Sequence, residues 1–154
     1  METHLEAFQE FRAGLASLRS GDANHALARF RCALDHEPKN PFYISYVGVA
    51  MAAAEQKLAE AIEACKSALR MSGRQVQLYL NLAQVYVVAN RKQEASDILA
   101  RGLHQAPHDV RLKMAIEQIS MRRPPALRFL PRRHVVNRGL GKLRHRAMQV
   151  LALF

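Results

Sequence analysis

The residues that could do chemistry are few, and they form no recognisable constellation. Cys32 and His36 are four positions apart, so in a helix both side chains would lie on one face and could meet one side of a metal ion, with Cys65 as a further candidate ligand. Two or three scattered ligands are a weak case, because buried cysteines are much commoner in helical repeats. These further histidines show no ligand spacing either: His25, His104, His108, His134 and His145. We predict that the chain holds no metal ion.

No catalytic motif accompanies these residues. The sequence contains no glycine-rich phosphate loop, no G-x-S-x-G nucleophile motif, no H-E-x-x-H zinc motif and no C-x-x-C pair. We therefore predict that the protein is not an enzyme, that it has no catalytic residues and that it needs no cofactor.

Composition and charge describe a folded and strongly basic chain. Hydrophobic residues make up 49% of the 154 residues and charged residues 23%, which excludes bulk disorder and a fibrous chain. The 23 Lys and Arg residues against 13 Asp and Glu residues give a net charge of +10, which favours anionic partners. The two cysteines do not support a disulfide framework, and they permit a reducing compartment.

No segment of the sequence is typical of targeting or membrane insertion. The start, Met1–Glu6, is acidic and polar, unlike a signal peptide. The uncharged apolar stretches Pro41–Ala54 and Val76–Ala89 are shorter than the roughly 18 residues that a membrane span requires. We expect a cytoplasmic protein, with a position at a membrane face as the alternative.

Small and apolar residues recur along the chain at intervals of 34 or 35 positions. The recurring sets are Gly14, Gly48 and Ala83; Ala26, Ala61 and Ala95; Phe30, Cys65 and Leu99; and Ala33, Ala68 and Gly102. Pro38, Gly73 and Pro107 close the three units. Small residues at helical spacing are typical of places where two helices cross closely. The pattern predicts three helical hairpins, which must stack because one hairpin cannot bury its own apolar face.

Capping residues mark where helices of these units begin. Thr3 and Glu6 have the T-x-x-E spacing of a capping box at the start of the first helix. Asn40 followed by Pro41 predicts an N-cap and first turn at the start of the second unit. Asp109 is placed to cap a last helix, which should cover the exposed end of the stack.

The repeats resemble the tetratricopeptide repeat family. The third unit matches it best, at Tyr79, Leu82, Ala83, Tyr86, Ala95, Leu99, Gly102 and Pro107. The resemblance implies an all-α fold, an α-solenoid of three hairpins at about 7–40, 41–75 and 76–109 with a capping helix at 110–121. It implies a protein-binding role without naming the partner, because this fold serves many unrelated partners.

In the geometry of that family, the first helix of each hairpin lines a concave groove. The predicted lining is Phe8, Phe11, Leu15, Leu18, Phe42, Val49, Leu80, Gln84, Val87 and Val88, joined by Ser45, Ala52 and Gln77. Because it is mostly apolar, we predict that it binds a helical or extended segment of a partner protein, as an adaptor or chaperone-like protein would. The simpler alternative is that several of these residues pack between repeats.

Some members of the family hold a C-terminal carboxylate with Lys, Arg and Asn side chains on the same helix faces. In this sequence, those positions hold Phe11, Leu15, Ser45, Val49, Leu80 and Gln84. The resemblance therefore does not support a carboxylate clamp of that kind.

Most of the net positive charge of the chain lies after the predicted repeat domain, residues 1–121. The tail, residues 122–154, holds nine basic residues and no acidic residue. The basic residues are Arg122, Arg123, Arg128, Arg132, Arg133, Arg138, Lys142, Arg144 and Arg146. Three prolines predict an extended start, and the apolar spacing from Val136 to Phe154 predicts a C-terminal amphipathic helix. The tail resembles that of some small bacterial tetratricopeptide proteins at Pro125, Phe129–Arg132, Asn137 and Leu140–His145.

Three roles for the tail stay open. The one we favour is that its apolar residues fold back over the groove or over the end of the stack. A second is that it binds an anionic membrane surface, which would make the protein a peripheral membrane or assembly scaffold. Nucleic acid binding has the least support, because few aromatic residues accompany the arginines and no known binding module is present.

Overall fold

A computed structural model of the chain describes residues 2–120. In this range the chain forms seven α-helices and no strand. The helices are α1 (Glu2–Arg19), α2 (Ala23–His36), α3 (Pro41–Ala54), α4 (Leu58–Met71), α5 (Val76–Val88), α6 (Lys92–Gln105) and α7 (Val110–Ser120).

Consecutive helices pair into hairpins that stack side by side. α1 packs against α2, α3 against α4 and α5 against α6. Neighbouring hairpins meet where α2 packs on α3 and where α5 packs on both α3 and α4, and α7 lies against α6 and α5. The predicted fold class, all-α with three stacked hairpins and a capping helix, is confirmed.

The residues that recur in the sequence form the core. The repeated alanine is fully buried in every unit, and so is the larger side chain four positions later. These residues are Ala26, Ala61, Ala95, Phe30, Cys65 and Leu99. Positions four apart lie on the same side of a helix. The second helix of each hairpin therefore packs with this one side against the first helix of its own hairpin and against the next hairpin.

Two of the three predicted caps are confirmed. The Asn40 side chain accepts a hydrogen bond from the backbone N–H of Phe42, with Pro41 in the first turn of α3. The Asp109 side chain accepts from the backbone N–H of Arg111 at the start of α7. The third prediction is wrong, because α1 already begins at Glu2 and Thr3 therefore lies inside the helix.

Two glycines stand where the helices of a hairpin cross most closely. A Cβ atom added to Gly14 would lie 2.5 Å from Cε1 of Phe30. A Cβ atom on Gly48 would lie 2.7 Å from Sγ of Cys65 and 2.8 Å from the backbone oxygen of Ala61. These distances are shorter than van der Waals contact, so the crossings leave no room for a side chain.

Each hairpin turn contains one residue in the left-handed region of backbone conformation. These residues are Gly21 with φ of 82°, Gln56 with φ of 56° and Asn90 with φ of 60°. Glycine adopts this conformation without a steric penalty and asparagine tolerates it, whereas for a residue such as glutamine it is strained. The turn between α3 and α4 therefore stores strain that the other two turns avoid.

The predictions for the tail, residues 122–154, lie outside the described residues. This applies to its extended start, its amphipathic helix and its nine basic side chains. Among helices α1 to α7, none is long and apolar enough to cross a membrane.

Replacing Gly48 with alanine should destabilise the protein. The added methyl group would collide with the backbone oxygen of Ala61, which cannot move without shifting α4. We expect a loss of about 1–3 kcal/mol in the free energy of unfolding, measured by urea denaturation. Gly73→Ala is the matched control, because its Cβ would meet only the backbone oxygen of Leu69, at 3.4 Å. Equal stability of the two variants would contradict the close crossing.

Replacing Gln56 with glycine should stabilise the protein. The substitution removes the strain of a positive φ, and part of this gain is offset by the greater freedom of glycine in the unfolded chain. We expect a net gain of about 0.5–1 kcal/mol in the same denaturation experiment. Asn90→Gly should gain less, since asparagine already tolerates this conformation. A loss of stability in Gln56→Gly would show that the turn is not strained.

Candidate functional site

The first helices of the hairpins enclose a depression together with α7. Its volume is about 350 Å³. Its lining comes from α1, α3, α5, α7 and the residue before α5, and consists of Phe11, Leu15, Phe42, Tyr46, Gln75, Val76, Gln77 and Arg111. We call this depression and the helix faces around it the concave groove.

A cluster of aromatic rings forms one wall of the groove. The ring centroid of Phe11 is 5.0 Å from that of Tyr43, 5.1 Å from that of Tyr46 and 5.5 Å from that of Phe30. Phe30 also contacts Tyr46, at 5.3 Å. These contacts join α1, α2 and α3, so Phe11 belongs to both the core and the wall of the groove. Aromatic pairs at this separation stabilise beyond their buried area.

Two arginines, Arg19 and Arg111, lie near the apolar wall. Burial raises the pKa of the Tyr46 phenol above its usual value, and the nearby guanidinium groups of Arg19 and Arg111 act on it in the opposite direction. Arg111 donates hydrogen bonds to both carboxylate oxygens of Asp109, at 3.3 and 2.8 Å. This pair lowers the pKa of Asp109 and raises that of Arg111. Both side chains therefore stay charged at neutral pH.

Beneath the groove, a chain of polar side chains connects three helices. Gln77 Nε2 donates to Asn81 Oδ1 at 2.9 Å, and Asn81 Nδ2 donates to Ser45 Oγ at 2.9 Å. The Cys65 thiol donates to the backbone oxygen of Ser45. Ser45 and Asn81 are the buried polar residues of the described core, and their hydrogen bonds offset the cost of burying them. The network fixes how α3, α4 and α5 lie against one another.

The structure brings part of the predicted groove lining together. Phe11, Leu15 and Phe42 line the depression. Leu80, Val87 and Val88 are half-buried and pack against the core, and Gln84 is also half-buried. Phe8 lies near the start of α1 with 51% of its surface exposed, and the guanidinium of Arg12 stacks over its ring.

The remaining predicted lining residues lie in the core. Leu18 is 6% exposed and Val49 is 3% exposed, while Ser45 and Ala52 are fully buried. These four residues support the groove from beneath and offer a ligand almost no surface.

Sequence reasoning missed two residues of the depression, Tyr46 and Arg111. Tyr46 follows Ser45, and only the packed helices show that its ring turns toward α1. Arg111 lies on the capping helix, which the sequence indicated only as a cover for the end of the stack. Arg111 is the second residue of α7, as Phe42 is of α3 and Gln77 is of α5. Because Phe42 and Gln77 both line the depression, this shared position could have predicted that Arg111 lines it too.

A second depression adjoins the first at the loop between α2 and α3. Its volume is about 550 Å³, and it shares Phe42 and Gln75 with the concave groove. Its other lining residues are Glu37, Pro38, Lys39, Asn40 and Pro41. Because Phe42 stands between the two depressions, an elongated ligand can contact both.

The candidate metal ligands of the sequence lie in unlike surroundings. Cys32 is exposed, whereas Cys65 is buried and its burial raises the pKa of the thiol to about 12. His36 lies 3.8 Å from the carboxylate of Glu6. Within residues 2–120, no group of three or more His, Cys, Asp or Glu residues could hold a metal ion.

The family model described as tetratricopeptide repeat matches residues 52–119. These residues are therefore similar to tetratricopeptide repeats. No curated protein matches the chain. The stacked hairpins of the structure also include α1 and α2, which the sequence match does not reach.

Solved structures of tetratricopeptide domains share this fold at low sequence identity. The TPR domain of Sgt2 from Aspergillus fumigatus is 19% identical, with a TM-score of 0.64 over 87% of this chain and 94% of that one. The Arabidopsis OM64 TPR domain is 18% identical, with a TM-score of 0.62 over 76% and 96%. The second TPR domain of human RPAP3, in complex with the HSP70 peptide SGPTIEEVD, is 17% identical, with a TM-score of 0.61 over 78% and 99%.

The two cysteines should differ sharply in reactivity. A thiol reacts as its thiolate, and Cys65 is both buried and held protonated by its raised pKa. We expect Ellman's reagent to modify one thiol per chain in the native protein at pH 8 and two in the denatured protein. Cys32→Ser should leave no reactive thiol in the native state. Rapid modification of native Cys32→Ser would contradict the burial of Cys65.

Proposed function

We propose that this chain is a non-catalytic protein-binding module that holds a segment of a partner protein in its concave groove. The observation that carries the proposal is the depression between α1, α3, α5 and α7, whose wall includes the half-buried apolar side chains Phe11, Leu15 and Phe42. Apolar concavities with a few polar groups are the usual form of a binding site.

The wall of the groove is rigid, and this favours binding. Its aromatic residues are held by contacts across three helices, and Gln77 is held by its hydrogen bond to Asn81. A ligand therefore meets side chains that are already in place, and little conformational entropy is lost when it binds. An adaptor or chaperone-like role would use such a surface to capture an exposed apolar segment.

Structures with the same fold support a peptide as the ligand. The second TPR domain of human RPAP3 is in complex with an HSP70 peptide, and the TPR2B domain of yeast Sti1 is in complex with pHsp70. At identities of 17%, this likeness supports the class of ligand and not its sequence.

Loss of the Phe42 ring should weaken binding of peptides selected on the full-length protein from a random display library. Phe42 lines both depressions, so Phe42→Ser removes apolar wall from each without adding charge. We expect the affinity of groove-bound peptides to fall by about tenfold or more, measured by fluorescence anisotropy. Gln75→Trp, which adds bulk at the edge of both depressions, should weaken binding in the same way.

Met71→Ser is the matched control, because Met71 is an exposed apolar residue that lines neither depression. It should change the affinity by less than about twofold, as surface changes outside an interface usually do. Thermal unfolding of each variant separates loss of binding from loss of fold. If no selected peptide distinguishes Phe42→Ser and Gln75→Trp from the parent protein, the groove is not the binding site.

A further inference from the structure

Arg111 is the charged residue that lines the first depression, and it is paired with Asp109. Lys39 and Glu37 line the adjoining depression. Arg12 stacks over the exposed ring of Phe8, with its guanidinium carbon 5.9 Å from the ring centroid. The positive charges of Arg19 and Arg111 both act to lower the pKa of Tyr46, which lies in the wall. Arg111 also lines the depression itself, and its side chain is 58% exposed. Two guanidinium groups, those of Arg19 and Arg111, thus lie near the apolar wall, and that of Arg12 lies over Phe8 nearer to the start of α1.

Acidic side chains of the same helices are directed elsewhere. α3 and α5 contain no charged residue at all. In α1, Glu10 pairs with Arg29 of α2 at 3.0 Å and Glu6 lies near His36 of α2, so both carboxylates lie on the side of α1 that faces its own hairpin partner. In α7, Glu117 is about 120° from Arg111 around the helix axis.

Asp109 neutralises Arg111 only in part. Its carboxylate accepts hydrogen bonds from Nε and Nη2 of the guanidinium. A guanidinium has five N–H donors, so Nη1 can still donate to a second carboxylate. A hydrogen bond from a guanidinium to a carboxylate is charge-assisted and stronger than one between neutral groups.

We infer that the occupant of the groove is an acidic amphipathic segment of a partner protein, with an apolar side chain in the depression and carboxylates beside Arg19 and Arg111. This inference rests on the proposed function and adds the chemistry of the partner. Charge complementarity around an apolar anchor speeds the encounter and rejects basic segments.

The same charges argue against the chain's own tail as the occupant, although the sequence favoured that role. Residues 122–154 carry nine basic residues and no acidic residue, so the tail would bring positive charge to a positively charged groove. Charge therefore favours an acidic segment of a partner over the basic tail as the occupant of the groove.

The test is a selection of peptides on the full-length protein, from a random library displayed on phage. Counter-selection on Phe42→Ser removes peptides that the basic tail binds, because the tail is unchanged in that variant. We expect the remaining peptides to be enriched in Asp and Glu beside aromatic or large aliphatic residues. Enrichment of neutral or basic peptides that still depend on Phe42 would overturn this inference while the proposed function stands.

A direct measurement then uses the selected peptides with the double variant Arg19→Gln, Arg111→Gln. Each exposed ion pair contributes modestly, so we expect an affinity about threefold or more lower for the pair of changes. The double variant Arg70→Gln, Arg101→Gln is the control, since both residues are exposed on second helices of their hairpins. An equal loss in both double variants would mean that overall charge attracts the peptide, and would overturn the assignment of Arg19 and Arg111.

Discussion

The structure depends on one constraint, the close crossing of the two helices within a hairpin. At Gly48 the backbone of α4 approaches so closely that a single methyl group would collide with the carbonyl oxygen of Ala61. At Gly14 the same closeness lets the ring of Phe30 lie directly against the backbone of α1. Because the helices touch through backbone and small residues, each hairpin is thin, and the larger side chains are left to fill the space between hairpins.

The groove follows from this arrangement, in which small residues pack within a hairpin and larger ones pack between hairpins. When small residues occupy the crossing inside a hairpin, the apolar residues on the other faces of the first helices must pack against the next hairpin or remain half-buried. Phe11 does both, since it contacts Phe30 and Tyr43 on one side and borders the depression on the other. The buried hydrogen bonds of Ser45 and Asn81 then fix how the second and third hairpins sit, so the width of the groove is set by the core beneath it.

The distribution of charge gives the groove its chemical character. Glu10 of α1 pairs with Arg29 of α2, and α3 and α5 carry no charge. The arginines Arg19 and Arg111, with Asp109 paired to the second, are the charges near the wall in the described part of the chain. A chain whose described part is nearly neutral by sequence can therefore present a positively charged binding surface. The capping helix serves two purposes here, because it covers the end of the stack through Leu112 and supplies Arg111 to the depression.

The sequence by itself determined the helices, the repeat and most of the core. Residues such as Ala26, Phe30 and Ala33 recur at fixed spacing because the two helices pack in the same way in every hairpin. Caps such as Asn40 depend on hydrogen bonds between residues close in sequence. Only the tertiary structure decided which apolar residues face the groove. Leu18 and Val49 share the helical positions of lining residues, yet both are buried. Tyr46 and Arg111 enter the depression from helices far apart in sequence. The spacing of apolar residues predicts which side of a helix is apolar. Whether a residue on that side stays exposed depends on the position of the next hairpin, which a local sequence pattern does not predict.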